Sequence, residues 1–255
     1  MAGLALADGV SSQNVVGYTA IDAAQGKFII TAAQLENVGE GTRAINDLVK
    51  GVTGVYYDDD NLFKTTAAQV QVPAAVGYNT YFYLEDGWYD DNGNDGYKPG
   101  WCDGSGVLID SEVTPGVAFW LKSVPDAATV TVAGEVSDDS AIAVSCPANF
   151  SLRANAFPIE IVLNGDKMAT SGAATIYYDD DNLFKTTAAQ VQVPAAVGYN
   201  TYFYLEDGWY DDNGNDGYKP GWCDGSGVLV DTDVPVAQGF WTKGVGGAFT
   251  LTFAK

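Results

Sequence analysis

Residues 56–108 read YYDDDNLFKTTAAQVQVPAAVGYNTYFYLEDGWYDDNGNDGYKPGWCDGSGVL, and the same 53 letters return without a gap at residues 177–229. The offset of 121 residues also carries Phe119-Trp120 onto Phe240-Trp241, outside the identical block. A period of this length is the mark of a duplicated structural unit. The block therefore predicts a tandem architecture.

The predicted organisation follows from this offset. An N-terminal segment, residues 1–13, precedes repeat 1 at residues 14–134 and repeat 2 at residues 135–255. In a chain of 255 residues, each repeat then has the size of an ordinary domain.

The composition favours short strands joined by many turns. The chain holds 30 glycines and 9 prolines, and 47% of its residues are hydrophobic. We predict an all-β fold of two tandem antiparallel β-sandwich-like domains, with one short helix in at least the first. The helix is predicted over residues 42–51, where Thr42 can cap its start and Gly51 can end it.

Within the block, residues 78–84 form the strongest predicted strand. Its aromatic residues fall on both faces, which is typical of a strand covered on both sides or of one with a face left for a partner. Asp86-Gly87 is a hairpin signal, and residues 88–105 are predicted to form a loop. The other predicted strands cover residues 69–72, 107–109, 117–122 and 129–132.

The chain is strongly acidic. It has 33 acidic and 12 basic residues, no histidine and a formal net charge of −21. Each identical block holds nine of the acids and only two of the bases. Such a field repels phosphate, so binding to nucleic acid or an anionic membrane is not expected, whereas it suits divalent cations. No apolar run approaches the about 18 residues of a membrane span.

The candidate metal site is the loop DDNGNDG at residues 90–96 and its repeat at 211–217. Alternating oxygen-bearing side chains on a glycine-rich loop can wrap a hard cation such as calcium. The spacing departs from the EF-hand, because the twelfth position from Asp90 is Trp101 instead of glutamate. The alternative is a solvated turn, since these are common turn residues. The predicted ligands are Asp90, Asp91, Asn92, Asn94, Asp95, Asp211, Asp212, Asn213, Asn215 and Asp216.

Aromatic residues supply a second candidate site. Aromatic rings on a sheet can form a platform on which sugar rings stack, although aromatics on strands more often belong to the core or to cross-strand pairs. The candidate ligand-binding residues are Trp88, Tyr89, Trp101, Trp209, Tyr210 and Trp222.

Catalysis has little support in the sequence. Without histidine, the chain has no Ser-His-Asp or Cys-His pair, and we predict that it is not an enzyme. The three cysteines, Cys102, Cys146 and Cys223, lack zinc-site spacing and are either buried thiols or disulfide partners. A bridge between Cys102 and Cys223 is compatible with either function proposed below.

A family resemblance rests on several short motifs. They are NVVGY at residues 14–18, GYNTYFYLEDGWYD, KPGW at 98–101, FWLK at 119–122 followed by TVTVAGEV, and ANAFP at 154–158. Together they resemble a group of uncharacterised exported two-repeat β proteins from bacteria of the Verrucomicrobia and Lentisphaerae. The resemblance implies export and an all-β fold, and it implies no catalytic residues.

The N-terminus adds to the expectation of export. Ala5-Leu6-Ala7 ahead of Asp8 has the small-x-small pattern of a signal cleavage site, but a charged n-region and a full apolar core are missing, so the pattern is either the end of a truncated signal or a chance likeness. We predict an extracellular or cell-surface protein that assembles with itself as a filament or surface layer, with calcium bound in the acidic loops. Docking is expected at edge strands 129–132 and 250–253 and through residues 1–15. The alternative is a secreted carbohydrate-binding module with one aromatic site per repeat, which binds polysaccharide.

Overall fold

A computed structural model describes residues 16–37, 43–88, 97–109, 111–124, 126–209 and 218–255. These residues form short strands and three helices of a single turn each, and the strand ladders are antiparallel. The predicted all-β, sandwich-like fold is confirmed.

The described residues of repeat 1 form eight strands and two helices. In chain order these are β1 Val16–Ala23, β2 Phe28–Thr31, α1 Ile45–Leu48, β3 Val49–Lys50, α2 Phe63–Thr66, β4 Gln69–Pro73, β5 Tyr78–Trp88, β6 Tyr97–Cys102, β7 Phe119–Lys122 and β8 Ala128–Glu135.

In repeat 2, ten strands and one helix lie within the described residues. They are β9 Ala141–Cys146, β10 Ser151–Ala154, β11 Ile161–Val162, β12 Met168–Ser171, α3 Phe184–Thr187, β13 Gln190–Pro194, β14 Tyr199–Gly208, β15 Lys219–Cys223, β16 Asp233–Val234, β17 Gly239–Lys243 and β18 Phe249–Ala254.

The two repeats have matching sheets. Repeat 1 has a five-stranded sheet, β2-β7-β4-β5-β6, and a three-stranded sheet, β1-β8-β3. Repeat 2 has β10-β17-β13-β14-β15 and β12-β18-β9, with the short pair β11-β16 in addition. Every ladder among the described residues joins strands of one repeat, and the predicted boundary after residue 134 falls at the end of β8.

Strand β5 is covered on both faces, as one of the two predicted alternatives requires. Tyr81 belongs to the main core of repeat 1, whereas Phe82 and Leu84 belong to a second core with Phe63 of helix α2. Each repeat therefore buries two apolar layers, one on each face of this strand. This explains why aromatic side chains occur on both of its faces.

The predicted hairpin at Asp86-Gly87 is wrong, because β5 continues through it. The register shifts between Leu84 and Gly87, and Gly87 then lies opposite Lys98 of β6. A Cβ at Gly87 would stand 2.3 Å from Cys102 Sγ, so the position requires glycine for close packing. The predicted loop over residues 88–105 is likewise wrong for Tyr97–Cys102, which is a strand.

The predicted helix over residues 42–51 is reduced to a single turn. Helix α1 ends at Leu48, and the chain continues directly into β3. The sequence analysis missed α2 and α3, which have the sequence FKTT in both repeats. The turn before α2 is held by Asp58, whose carboxylate accepts hydrogen bonds from the backbone N–H of Leu62 and Phe63.

The predicted edge strands are not edges. Residues 129–132 lie in β8 and residues 250–253 lie in β18, and each of these strands is the middle one of its three-stranded sheet. The sequence pattern identified the strands but not their neighbours, because the partners lie far away along the chain.

Candidate functional site

Two of the predicted sugar-stacking residues lie in the core. Trp101 is 0% exposed and Trp222 is 1% exposed. Their indole N–H groups donate to Val49 O and to Thr170 Oγ1. These two tryptophans hold the sandwiches together and present no ring face to a ligand in solution.

An asparagine missed by the sequence analysis fixes each of these tryptophans. Asn46 accepts a hydrogen bond from Trp101 N and donates to Trp101 O and Ile109 O. Asn164 makes the same three bonds in repeat 2, with Trp222 and Val230. The two asparagines are 118 residues apart instead of 121, so the repeat offset hides their equivalence.

Trp88 and its counterpart Trp209 are half-buried. The Trp88 ring meets Tyr57 edge to face at 5.1 Å and Tyr97 at 6.4 Å, and it lies over Gly106, where a Cβ would come within 2.4 Å. Tyr97 itself is 72% exposed. Tyr89 and Tyr210 lie outside the described residues. Among the described rings of this aromatic cluster, Tyr97 and, in repeat 2, Tyr218 are the exposed ones.

The predicted calcium ligands, residues 90–95 and 211–216, lie outside the described residues. Nearby acids act as acceptors for the backbone: Asp86 Oδ1 binds Tyr57 N, and Asp103 Oδ1 binds Ser105 N and Val107 N. Within the described part of the chain, no group of three or more acidic or cysteine side chains is placed to hold a metal ion.

All three cysteines are free and buried. Cys102 and Cys223 belong to different cores, so the bridge between them is not formed. Burial, reinforced by the neighbouring carboxylates, raises the pKa of both thiols to about 12. They are unreactive core residues at neutral pH.

The surfaces that meet between the repeats are equivalent. Ala32 N donates to Ala237 O at 3.1 Å, and Ala154 N donates to Gly116 O at 2.9 Å. In the first bond repeat 1 donates to repeat 2, and in the second repeat 2 donates to repeat 1. The acceptors Gly116 and Ala237 are 121 residues apart and so hold the same position in the two repeats. A buried apolar cluster lies beside them, formed by Ile30, Ala32, Ala118, Leu152 and Ala154 with Trp120 and Trp241 at its border. The junction is therefore pseudo-two-fold.

A groove of about 480 Å³ opens at this junction. None of its fourteen lining residues is charged, although the chain has 45 charged residues in all. Its walls combine apolar, aromatic and uncharged polar groups from both repeats, including Ala20, Phe28 and Trp120 on one side and Pro194, Tyr199 and Val236 on the other. It is the best candidate for a binding surface.

Strand β1 runs beside the groove and is the longest open sheet edge in the described part of the chain. It has eight residues, contains no proline, and pairs only with β8 among the described strands. The other edges carry known protections: β6 contains Pro99, β15 contains Pro220, and β2 and β10 meet the opposite repeat. Strands β3 and β12 have only two and four residues.

The corresponding strand of repeat 2, β9, carries a side-chain hydrogen bond on its backbone. Arg153 Nε donates to Ser145 O at 2.8 Å, and burial lowers the pKa of this guanidinium. Thr31 stands at the equivalent place in repeat 1, where its hydroxyl donates to Ala237 O. The Thr31 hydroxyl is thus used in a contact with repeat 2, so the two repeats differ at the same edge.

Comparison with family models, curated proteins and solved structures finds no match to this chain. The class that the fold defines is a tandem-repeat all-β protein with sandwich-like sheets. No helix among the described residues is long and apolar enough to cross a membrane.

Proposed function

We propose that this chain is an extracellular structural protein that assembles with its own copies into a filament or surface layer. The observation that carries the proposal is the uncharged groove at the repeat junction, beside the open edge of β1. An open strand edge offers backbone hydrogen bonds to another chain, and natural proteins usually protect such edges.

Electrostatics restricts where molecules of this protein can meet. At a net charge of −21, two acidic surfaces repel each other at low ionic strength. The groove lacks charge, and β1 carries only Asp22. Contact at this place therefore meets less repulsion than contact through the acidic turns of the repeated block.

Analytical ultracentrifugation and negative-stain electron microscopy test the proposal directly. We expect species several times heavier than the 26.9 kDa chain, growing with protein concentration and with salt. Comparing samples in millimolar calcium with samples in chelator shows how much the acidic loops contribute to assembly. A monomer under all of these conditions contradicts the proposal.

Carbohydrate binding is the second candidate and is favoured by the exposed Tyr97 and Tyr218 beside Trp88 and Trp209. Because the two clusters are equivalent, the protein would bind polysaccharide at two sites. We expect Trp88→Ala and Trp209→Ala to weaken binding equally in a pull-down with insoluble glycans. No retention of the wild-type protein on any of several glycans removes this candidate.

A further inference from the structure

We propose that the groove between the repeats receives an extended N-terminal segment, residues 3–7, from a second molecule of this chain. In this arrangement the segment GLALA pairs with the open edge of β1, and Leu4 and Leu6 enter the groove. The inference rests on the proposed function, because the donor belongs to another molecule.

The shape of the junction favours a single strand over a whole sheet. The groove is lined by Ala20 and Ile21 of β1 on one side and by Pro194, Ala195 and Tyr199 of repeat 2 on the other. Repeat 2 therefore stands close to this edge and restricts the approach of another sandwich. An isolated strand needs only about 5 Å beside β1 to complete a ladder.

The absence of charge and the aromatic walls of the groove favour an uncharged segment with apolar side chains. Its walls include Phe28 and Trp120, whose rings meet at 6.2 Å, together with Tyr199 and Val236. When a strand is added to a sheet edge, its backbone hydrogen bonds provide affinity. Every second side chain of the added strand contacts walls of this kind, and these contacts provide specificity. A segment with large residues at every second position fits both requirements.

Residues 3–7 have this pattern. Leu4 and Leu6 alternate with Gly3, Ala5 and Ala7, which places both leucines on one face of an extended chain. Residues 1–15 carry only one acid, Asp8, and no basic side chain. This segment can thus approach another molecule of net charge −21 with little repulsion.

The repeats themselves contain a natural comparison. At the equivalent edge of β9, Arg153 occupies one backbone acceptor, Ser145 O, which the corresponding Thr31 does not do at β1. The groove is lined by residues of β1 and by none of β9, so in this arrangement each molecule offers one acceptor groove and one donor segment. A contact of this head-to-tail kind produces open chains of molecules.

The test uses the full chain and sedimentation velocity. We expect Leu4→Asp with Leu6→Asp to return the assemblies to the 26.9 kDa monomer, with at least a tenfold loss of association. The matched control is Ala5→Asp with Ala7→Asp, which adds the same charge on the opposite face and should leave assembly within twofold of wild type.

A second measurement examines the acceptor. A fluorescent peptide of residues 1–13 should bind one-to-one to the Leu4→Asp/Leu6→Asp chain. Ala195→Trp, which fills the groove, should reduce this binding at least tenfold. Ala74→Trp, at the identical position of repeat 1, is the control and should leave the binding unchanged.

The remaining outcomes overturn the inference in distinguishable ways. If the Leu4→Asp/Leu6→Asp variant assembles as the wild type does, the docking of residues 3–7 in the groove is refuted, while the proposal of self-assembly stands. A monomeric wild type whose melting temperature falls with the leucine changes indicates that the segment fills its own groove, and the proposed function then fails as well. An intact mass showing that the native protein starts at Asp8 removes the donor.

Discussion

Trp120 and Trp241 occupy the same position in the two repeats, and their rings meet at the junction with centroids 6.2 Å apart and an interplanar angle of 63°. A residue meets its own equivalent only close to a two-fold axis. With the reciprocal bonds from Ala32 and Ala154, this contact makes the tandem repeat resemble an isologous dimer joined by a short linker.

The junction should survive cleavage of the linker. A protease site inserted between the exposed Asp138 and Asp139 should leave the two halves co-eluting in size-exclusion chromatography after cutting. Adding Trp120→Ala and Trp241→Ala should weaken their association by about 1–2 kcal/mol, roughly tenfold, since the rings are half-buried.

The matched control for the tryptophan changes is Tyr56→Ala with Tyr177→Ala, which also removes two aromatic rings but at exposed positions. This pair should leave the cut halves together. If the halves separate at micromolar concentration without any substitution, the junction is weaker than its contacts indicate.

Asn46→Ala should destabilise repeat 1 by about 2–3 kcal/mol. It removes the partners of Trp101 N, Trp101 O and Ile109 O, and unsatisfied buried backbone groups are costly. Urea unfolding followed by tryptophan fluorescence measures the loss. Asn164→Ala should have a similar effect on repeat 2, whereas the exposed Asn79→Ala should change stability by less than about 0.5 kcal/mol.

Of the three acids in the turn at residues 58–60, only Asp58 should contribute to stability. Asp58→Ala removes the acceptor for two backbone N–H groups at the start of α2 and should cost about 1 kcal/mol. Asp59→Ala and Asp60→Ala remove exposed charge from a chain of net charge −21 and should be neutral or slightly stabilising. Thermal melts of the three variants at equal ionic strength provide the comparison.

Calcium should raise the melting temperature of the wild-type protein. If the loops at residues 90–96 and 211–217 bind the ion, a concentration ten times Kd adds about 1.4 kcal/mol per site. Asp91→Asn with Asp212→Asn should reduce the shift, and magnesium at the same concentration controls for general screening. A midpoint that stays constant at millimolar calcium refutes the metal site.

Stability should fall as pH rises from about 9 towards 12. The pKa of the Cys102 and Cys223 thiols is raised to about 12 in the fold, so between these values the folded state keeps protons that the unfolded chain releases. Burial also raises the pKa of Tyr83 and Tyr204, which adds to the same trend.

The double variant Cys102→Ala/Cys223→Ala isolates the thiol contribution. It should be less stable than wild type at pH 7, because it leaves cavities, but it should lose less stability between pH 9 and 12. Denaturant midpoints measured across that range give the slope. Equal slopes for the two proteins indicate that the thiols ionise in the fold as readily as in the unfolded chain.

The sequence by itself determined the repeat and the all-β class. Alternation along residues 78–84 identified β5, and aromatic residues on both of its faces anticipated the two apolar layers. The signals for strands and turns are local, because the alternation of side chains along a strand and the glycines of turns can be recognised within a few residues.

Only the tertiary structure decided which residues lie at the surface and which edges are open. Trp101 and Trp88 stand in the same aromatic stretch, yet one is fully buried and the other borders the surface. Strand β8 resembled an edge because its partners β1 and β3 are distant in sequence. Arg153 bonds to the backbone of β9 whereas the corresponding Thr31 bonds to repeat 2, and this difference depends on contacts between segments that the 121-residue period cannot reveal. Pairing between distant segments is a property of the folded chain, because burial and long-range hydrogen bonds form only when those segments meet.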